Sequence, residues 1–172
     1  MIDDFAQIKP EAISDNPFKL IDKDWMLITA GSGDSHRTFN TMTASWGSLG
    51  ILWHKQVTFC FVRPTRYTYE FMEKNEFYTL SFFAEAYREA LNICGTLSGR
   101  DVDKVAKAGL TPLEVQAGAV AFKEARLIMV CKKLYFQDLA PGHFQDLSLE
   151  KNYPQKDYHR MYIGEITGVY TK

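Results

Sequence analysis

Six segments rich in β-branched and aromatic residues recur along the chain without the strand–helix alternation that a parallel sheet requires, and this spacing constrains the fold more than any other feature. They fall at residues 25–30, 38–46, 56–62, 77–83, 120–136 and 158–169. The first ends in the turn-prone Gly31-Ser32-Gly33-Asp34, and in the second Met42 and Ala44 alternate with hydroxyl residues as a half-buried strand would. Residues 120–136 are long enough for one strand or two. Between these runs the period changes. Tyr67, Phe71 and Met72 sit at helical spacing, which predicts a helix over 67–74 after Pro64. A second helix is expected over 86–94 with Gly95 as its stop, and a short third one leads from Lys104 to a stop at Gly109, with Thr111-Pro112 beyond. Residues 138–157 hold Pro141, Gly142 and Pro154 and no clean period, which reads as a long functional loop. Residues 1–24, with Pro10 and Pro17, read as a lead-in that wraps the rest. The expected class is mainly β: a closed antiparallel barrel decorated by short helices, with residues 1–172 as a single domain and no internal repeat.

Composition narrows the function. A chain of 172 residues can bury a core and enclose a cleft but cannot hold two nucleotide-binding domains, so a nicotinamide cofactor would have to visit a shared site. Apolar residues make up 46% and aromatics 14%, which excludes wholesale disorder. A formal net charge of -1 draws the chain neither to nucleic acid nor to an anionic membrane. With no targeting pattern and no apolar run of membrane-spanning length, the expected location is the cytoplasm. Cys60, Cys94 and Cys131 are odd in number and lack metal-ligand or disulfide spacing, so buried reduced thiols are expected. His36, His54 and His143 have no partner at metal spacing and are expected at the surface or in loops, and no metal site is expected.

The chemistry concentrates in two neighbouring segments. Asn40-Thr41-Met42-Thr43-Ala44-Ser45-Trp46-Gly47-Ser48 offers small hydroxyls and backbone N–H groups, and Arg63-Pro64-Thr65-Arg66-Tyr67-Thr68 offers guanidinium charge. Together they suit a phosphorylated aromatic ligand. No P-loop and no Gly-x-Gly-x-x-Gly competes. The plainer alternative is a Thr/Ser-rich strand beside a proline turn, with Trp46 a core aromatic. Ser98 to Lys104 reads either as a ligand-covering loop or as a solvated helix start, and His159 either as a site residue or as a satisfied structural histidine.

Several of these segments, in order, resemble the flavin reductase-like family of FMN-binding split-barrel proteins, which includes flavoredoxins. They are Met42 to Gly47, Arg63 to Thr68, Phe77 to Phe83, Ser98-Gly99-Arg100-Asp101-Val102-Asp103-Lys104, and Tyr158 to Glu165. The resemblance covers most of the chain and implies an antiparallel, Greek-key split β-barrel, a homodimer, and noncovalent FMN near the subunit interface, with NAD(P)H as hydride donor in the reductases. It places Thr43, Ala44, Ser45 and Trp46 at the flavin and its ribityl phosphate. Arg63, Thr65, Arg66 and Thr68 fall in the phosphate segment, and Ser98, Gly99, Arg100, Asp101 and Lys104 in a loop and helix start over the cofactor. His159 falls where many relatives carry a histidine near the ring.

The expected activity is an NAD(P)H-dependent flavin reductase. The alternative is a flavoredoxin-like carrier that takes electrons from a redox partner protein without useful NAD(P)H turnover. A barrel holding another phosphorylated ligand, such as pyridoxal phosphate, or a haem-related compound, remains open because fold does not fix function. No residue pattern distinguishes NADH from NADPH.

Overall fold

The computed structural model describes residues 2, 4–35 and 37–172. His36 therefore lies outside the described residues, whereas His54 and His143 are exposed in turns as expected. The strands in chain order are β1 (Ala6–Ile8), β2 (Met26–Gly31), β3 (Phe39–Ala44), β4 (Gly47–Leu52), β5 (Lys55–Val62), β6 (Phe77–Phe82), β7 (Pro112–Glu114), β8 (Val120–Phe122), β9 (Leu127–Asp138) and β10 (Arg160–Thr171). The α-helices are α1 (Pro17–Lys19), α2 (Tyr67–Lys74), α3 (Arg88–Thr96) and α4 (Lys104–Lys107). Every ladder is antiparallel, as the spacing of the β-forming runs requires.

The main sheet runs β3-β2-β6-β9-β10-β5-β4, with β1 added on β10. Its two ends, β3 and β4, are consecutive in the chain and joined only by Ser45 and Trp46. The sheet therefore curls until its edges meet at those two residues. Among the described residues no ladder joins β3 to β4, so the closed barrel expected from the strand spacing is corrected to an open sheet, in keeping with the split barrel that the resemblance implies. The reason is local. β3 and β4 each keep a free side, but the dipeptide linking them belongs to neither the β2–β3 nor the β4–β5 ladder, and through it the chain passes from one edge of the sheet to the other instead of turning back into a hairpin.

Alternation along the strands fills both faces. In β2 all six residues are buried, with Leu27 in one apolar cluster and Met26, Ile28 and Ala30 in the other. The first cluster is closed by α3, α4, β7 and β8 through Leu91, Cys94, Val105 and Phe122, and the second lies inside the curled sheet with Cys60, Tyr78 and Tyr162. All three cysteines are free and buried. Burial pushes the Cys94 thiol up to about 11 and Cys131 to about 12, so each behaves as a small hydrophobe.

The expected helix over 67–74 is α2 to the residue. Gly95 is different: it does not stop a helix but lies within α3, which continues to Thr96. A Cβ there would meet the Thr43 side chain at 3.2 Å, so this glycine lets α3 approach β3 closely. β1, β4 and β7 were not expected. β4 carries two glycines and alternates half-buried with exposed residues, so it acquires strand structure from pairing on β5 rather than from its own residues. Residues 139–159 contain only short 3-10 turns, Pro141–His143 and Leu147–Asn152, in keeping with the loop expected there. Among the described residues no helix is long and apolar enough to cross a membrane.

Candidate functional site

The seam of the split sheet opens into a cleft of about 390 Å³ lined by Met42, Thr43, Ala44, Ser45, Trp46, Phe61, Arg63, Thr65, Arg66 and His159. Three elements meet there: the end of β3 with its linker, the end of β5 running toward α2, and the residue before β10. A smaller recess of about 80 Å³ shares Met42, Thr65 and Arg66 and adds Thr68, Ser98 and Lys104. The two hydroxyl- and arginine-bearing segments, apart in sequence, are thus brought to one place.

The arginines on the 63–66 turn have different surroundings. Arg63 Nη1 lies 2.8 Å from Asp157 Oδ2, its Nη2 donates to the Asn152 carbonyl at 2.7 Å, and its guanidinium sits 5.1 Å over the Tyr153 ring. Two of its five N–H donors and one face are thus engaged by the 139–159 loop. Arg66 is partly buried, and its side chain has no hydrogen-bond or ion-pair partner among the described residues. Burial and the neighbouring Arg63 charge push its pKa down. Arg66 is also the N-cap of α2 and, having no acceptor, cannot cap it, so the positive end of the helix lies uncapped beside this cation.

Lys104 is the second unusual cation. It is 5% exposed, far below the norm for lysine, and donates to the carbonyls of Cys94 and Leu97, each at 3.2 Å. Burial lowers it to about 8, with Cys94 opposing the shift and the Arg66 charge adding to it. Two of its three N–H groups are thus engaged, and it lines the smaller recess.

At the other end of the cleft, Trp46 is 44% exposed, which rules out the core-aromatic reading. His159 is buried with ring centroids 5.1 Å from Trp46 and 6.5 Å from Phe61. Its Nδ1 lies 2.9 Å from the Tyr153 hydroxyl. Burial, then the charge of Arg63, holds His159 down to about 4, so the imidazole is neutral near neutral pH. The loop is tied to this end at several points: Arg63 to Asp157 and Asn152, Tyr153 to His159, and the Leu139 N–H to the His159 carbonyl at 3.0 Å. Phe144, Tyr153 and Tyr158 stack behind it.

Several expected site residues have other occupations. Thr43 donates its hydroxyl to the Leu91 carbonyl, tying β3 to α3, and could only accept from a ligand. Thr68 is buried and pairs with Asn40 Nδ2 at 2.7 Å. Gly99, Arg100 and Asp101 line neither recess. A Cβ on Gly99 would lie 2.1 Å from Asn40 Oδ1, so that glycine serves close packing. Arg100 is exposed, 2.6 Å from Glu70 and 4.7 Å over the Tyr67 ring. Sequence reading missed Phe61, which the alternation of β5 could have placed beside Arg63 on one face, and Tyr153, Asn152 and Asp157, which lie in the irregular loop and carry no periodic signal.

The sequence model of the flavin reductase-like domain matches residues 20–172. Solved structures share the fold at low identity. The FMN-binding domain of a flavin reductase-like enzyme from Shewanella baltica is 17% identical with a TM-score of 0.68, over 97% of this chain and 76% of that one. Flavoredoxin of Desulfovibrio vulgaris is 21% identical with a TM-score of 0.67, over 96% and 77%. An NADH:FAD oxidoreductase from Streptomyces globisporus is 12% identical with a TM-score of 0.64, over 87% and 75%. No curated protein matches the chain.

Proposed function

The chain belongs to the flavin reductase-like domain family, and from that premise we propose that its cleft holds FMN and that it is an NAD(P)H-dependent flavin reductase, working in the cytoplasm as a homodimer. The observation that carries the FMN reading is Arg66, a half-buried guanidinium with no partner among the described residues. A partly desolvated cation with no carboxylate beside it keeps N–H donors open to the recess, and a phosphate monoester bearing close to two negative charges is the group that matches it. The residues present fit that group. Arg66 supplies charge-assisted hydrogen bonds, Lys104 a remaining N–H, Thr65 and Ser98 hydroxyls, and the start of α2 its positive end.

Trp46, Ser45 and the neutral His159 form the other wall, suited to a flat ring system with polar edges. When bound, FMN supplies the hydride-accepting chemistry, and the protein supplies orientation and exclusion of water. The tied-down loop serves the second purpose. The FMN-binding and NADH:FAD oxidoreductase neighbours support this reading.

One observation favours a second reading. The loop is pinned to Arg63 and His159 at several points, so the His159 end of the cleft is held rigid and a nicotinamide's approach would have to be made without the loop moving. A flavoredoxin-like carrier that receives electrons from a protein partner has no need of that approach. Anaerobic stopped-flow mixing of FMN-loaded protein separates the two. Bleaching by NADH or NADPH is expected of the reductase; reduction by dithionite but by neither nucleotide assigns the carrier role. Phe18, Ile51 and Trp53, at 83%, 71% and 54% exposure, are large apolar side chains that a second copy would cover, which supports the homodimer. Sedimentation at low micromolar concentration should give a dimer, and an FMN-loaded monomer would remove that part of the proposal.

A further inference from the structure

Tyr153 has no role in holding a ligand, yet it is buried, and its hydroxyl meets Nδ1 of the histidine that lines the cleft at 2.9 Å. A phenol has one proton and a neutral imidazole has one, so two arrangements are available. If His159 carried its proton on Nδ1 and donated to Tyr153, the tyrosine proton would need another acceptor, and the Tyr153 side chain has no other hydrogen-bond partner among the described residues. If Tyr153 donates to Nδ1, every proton is placed and the imidazole proton goes to Nε2. That nitrogen has no partner among the described residues and is not among the buried atoms left unsatisfied, so it keeps an opening where the residue lines the cleft.

We propose that Tyr153 is a positioning residue that fixes His159 as the Nε2–H tautomer, so that the cleft is offered a neutral N–H donor selective for a carbonyl acceptor on the ligand ring or its amide. Arg63 completes the device. Its guanidinium lies over the Tyr153 ring and holds Asn152 and Asp157, the residues on either side of that turn. The charged and titratable groups around His159 are Arg63 at the end of β5, Arg66 at the start of α2, and Asp157, Tyr153 and Tyr158 from the loop. Two cations face it and one carboxylate, already paired with Arg63, so the surroundings also favour an uncharged ring. A neutral donor suits a carbonyl oxygen, whereas an imidazolium would attract a second anion. The assignment extends the FMN reading to the chemistry of the ring end, but its test needs no bound cofactor.

Long-range ¹H–¹⁵N spectra of the imidazoles in the cofactor-free protein, with His159 identified by its loss in His159→Gln, report which nitrogen carries the proton. The expected result is a protonated Nε2 and an unprotonated Nδ1 throughout about pH 5 to 8. Tyr153→Phe should shift His159 to a mixture of tautomers while the ratio of FMN to riboflavin affinity, set at the Arg66 end, stays near that of wild type. A wild-type His159 protonated on Nδ1, or on both nitrogens near pH 7, overturns the proposal whether or not the variant folds. An unchanged tautomer in folded Tyr153→Phe overturns the role of Tyr153. Failure to bind FMN at all would sink the functional reading and leave this result standing.

Discussion

The two ends of the cleft begin three residues apart, at Arg63 and Arg66, and are built on opposite principles. Arg63 is engaged by the loop through a carboxylate, a carbonyl and an aromatic face. Arg66 has none among the described residues, and it faces the same recess as Lys104, whose burial already weakens its hold on a proton. A cation paired within the protein organises it; an unpaired one is held ready for something outside it. The arginine nearer the ring end thus acts as a latch, and the arginine nearer the α2 end as a receptor.

Substitutions test that division. Arg66→Ala should produce the largest effect, a loss of about 1.5 to 3 kcal/mol in FMN binding, or roughly 10-fold to 150-fold, read by titration of the cofactor-free protein. Unchanged affinity would make Arg66 a bystander. His159→Ala should retain FMN but slow anaerobic reduction by the effective nucleotide ~10-fold to 100-fold, the scale of a misplaced reactant, as stopped-flow bleaching measures. A matching loss of FMN would move His159 from the ring end to the holding of the cofactor. Arg63→Ala should cost less than about 1 kcal/mol of FMN affinity, roughly 5-fold, because a partly exposed pair contributes little. It should nevertheless raise hydrogen exchange across residues 139–159, and an unchanged exchange pattern would show that the loop needs no latch.

The smallest effect concerns pH. His159 is held at about 4 in the folded protein against an ordinary 6.5, so the unfolded chain binds a proton that the folded chain refuses between those values. Its contribution to stability is complete above about pH 6.5 and is lost as the pH falls toward about 4. Urea unfolding of the cofactor-free protein across this window should show that decline, and His159→Gln should flatten it. A decline unaltered in the variant would assign it to other groups.

What could be read in the sequence follows the same division. The alternating runs gave the strands, and the spacing of Tyr67, Phe71 and Met72 gave α2, because those patterns report burial directly. Thr43 to Trp46 and Arg63 to Arg66 were legible as one site because their side-chain chemistry declares itself. The open seam was not legible from the residue pattern and came only from the resemblance to split barrels: whether β3 and β4 pair depends on where the chain leaves the ladder at Ser45 and Trp46, which no residue preference encodes. Nor could the fates of Arg63 and Arg66 be told apart, since both are arginines on one turn and the partners of Arg63 lie almost ninety residues or more away, at Asn152 and Asp157. Gly95 and Gly99 misled for a related reason. One reads as a helix stop and the other as part of a ligand loop, while both exist to admit side chains from β3, Thr43 and Asn40.

The central claim, that one arginine receives phosphate and the other latches the loop, is tested most directly by the ratio of FMN to riboflavin affinity in wild type, Arg66→Ala and Arg63→Ala. Riboflavin presents the same ring without the phosphate, so the ratio isolates that group from ring stacking and from general loss of structure. The account predicts a strong preference for FMN in wild type, the same preference in Arg63→Ala, and its collapse in Arg66→Ala. Equal affinities for FMN and riboflavin in wild type, or a collapse in Arg63→Ala with the preference intact in Arg66→Ala, would contradict it.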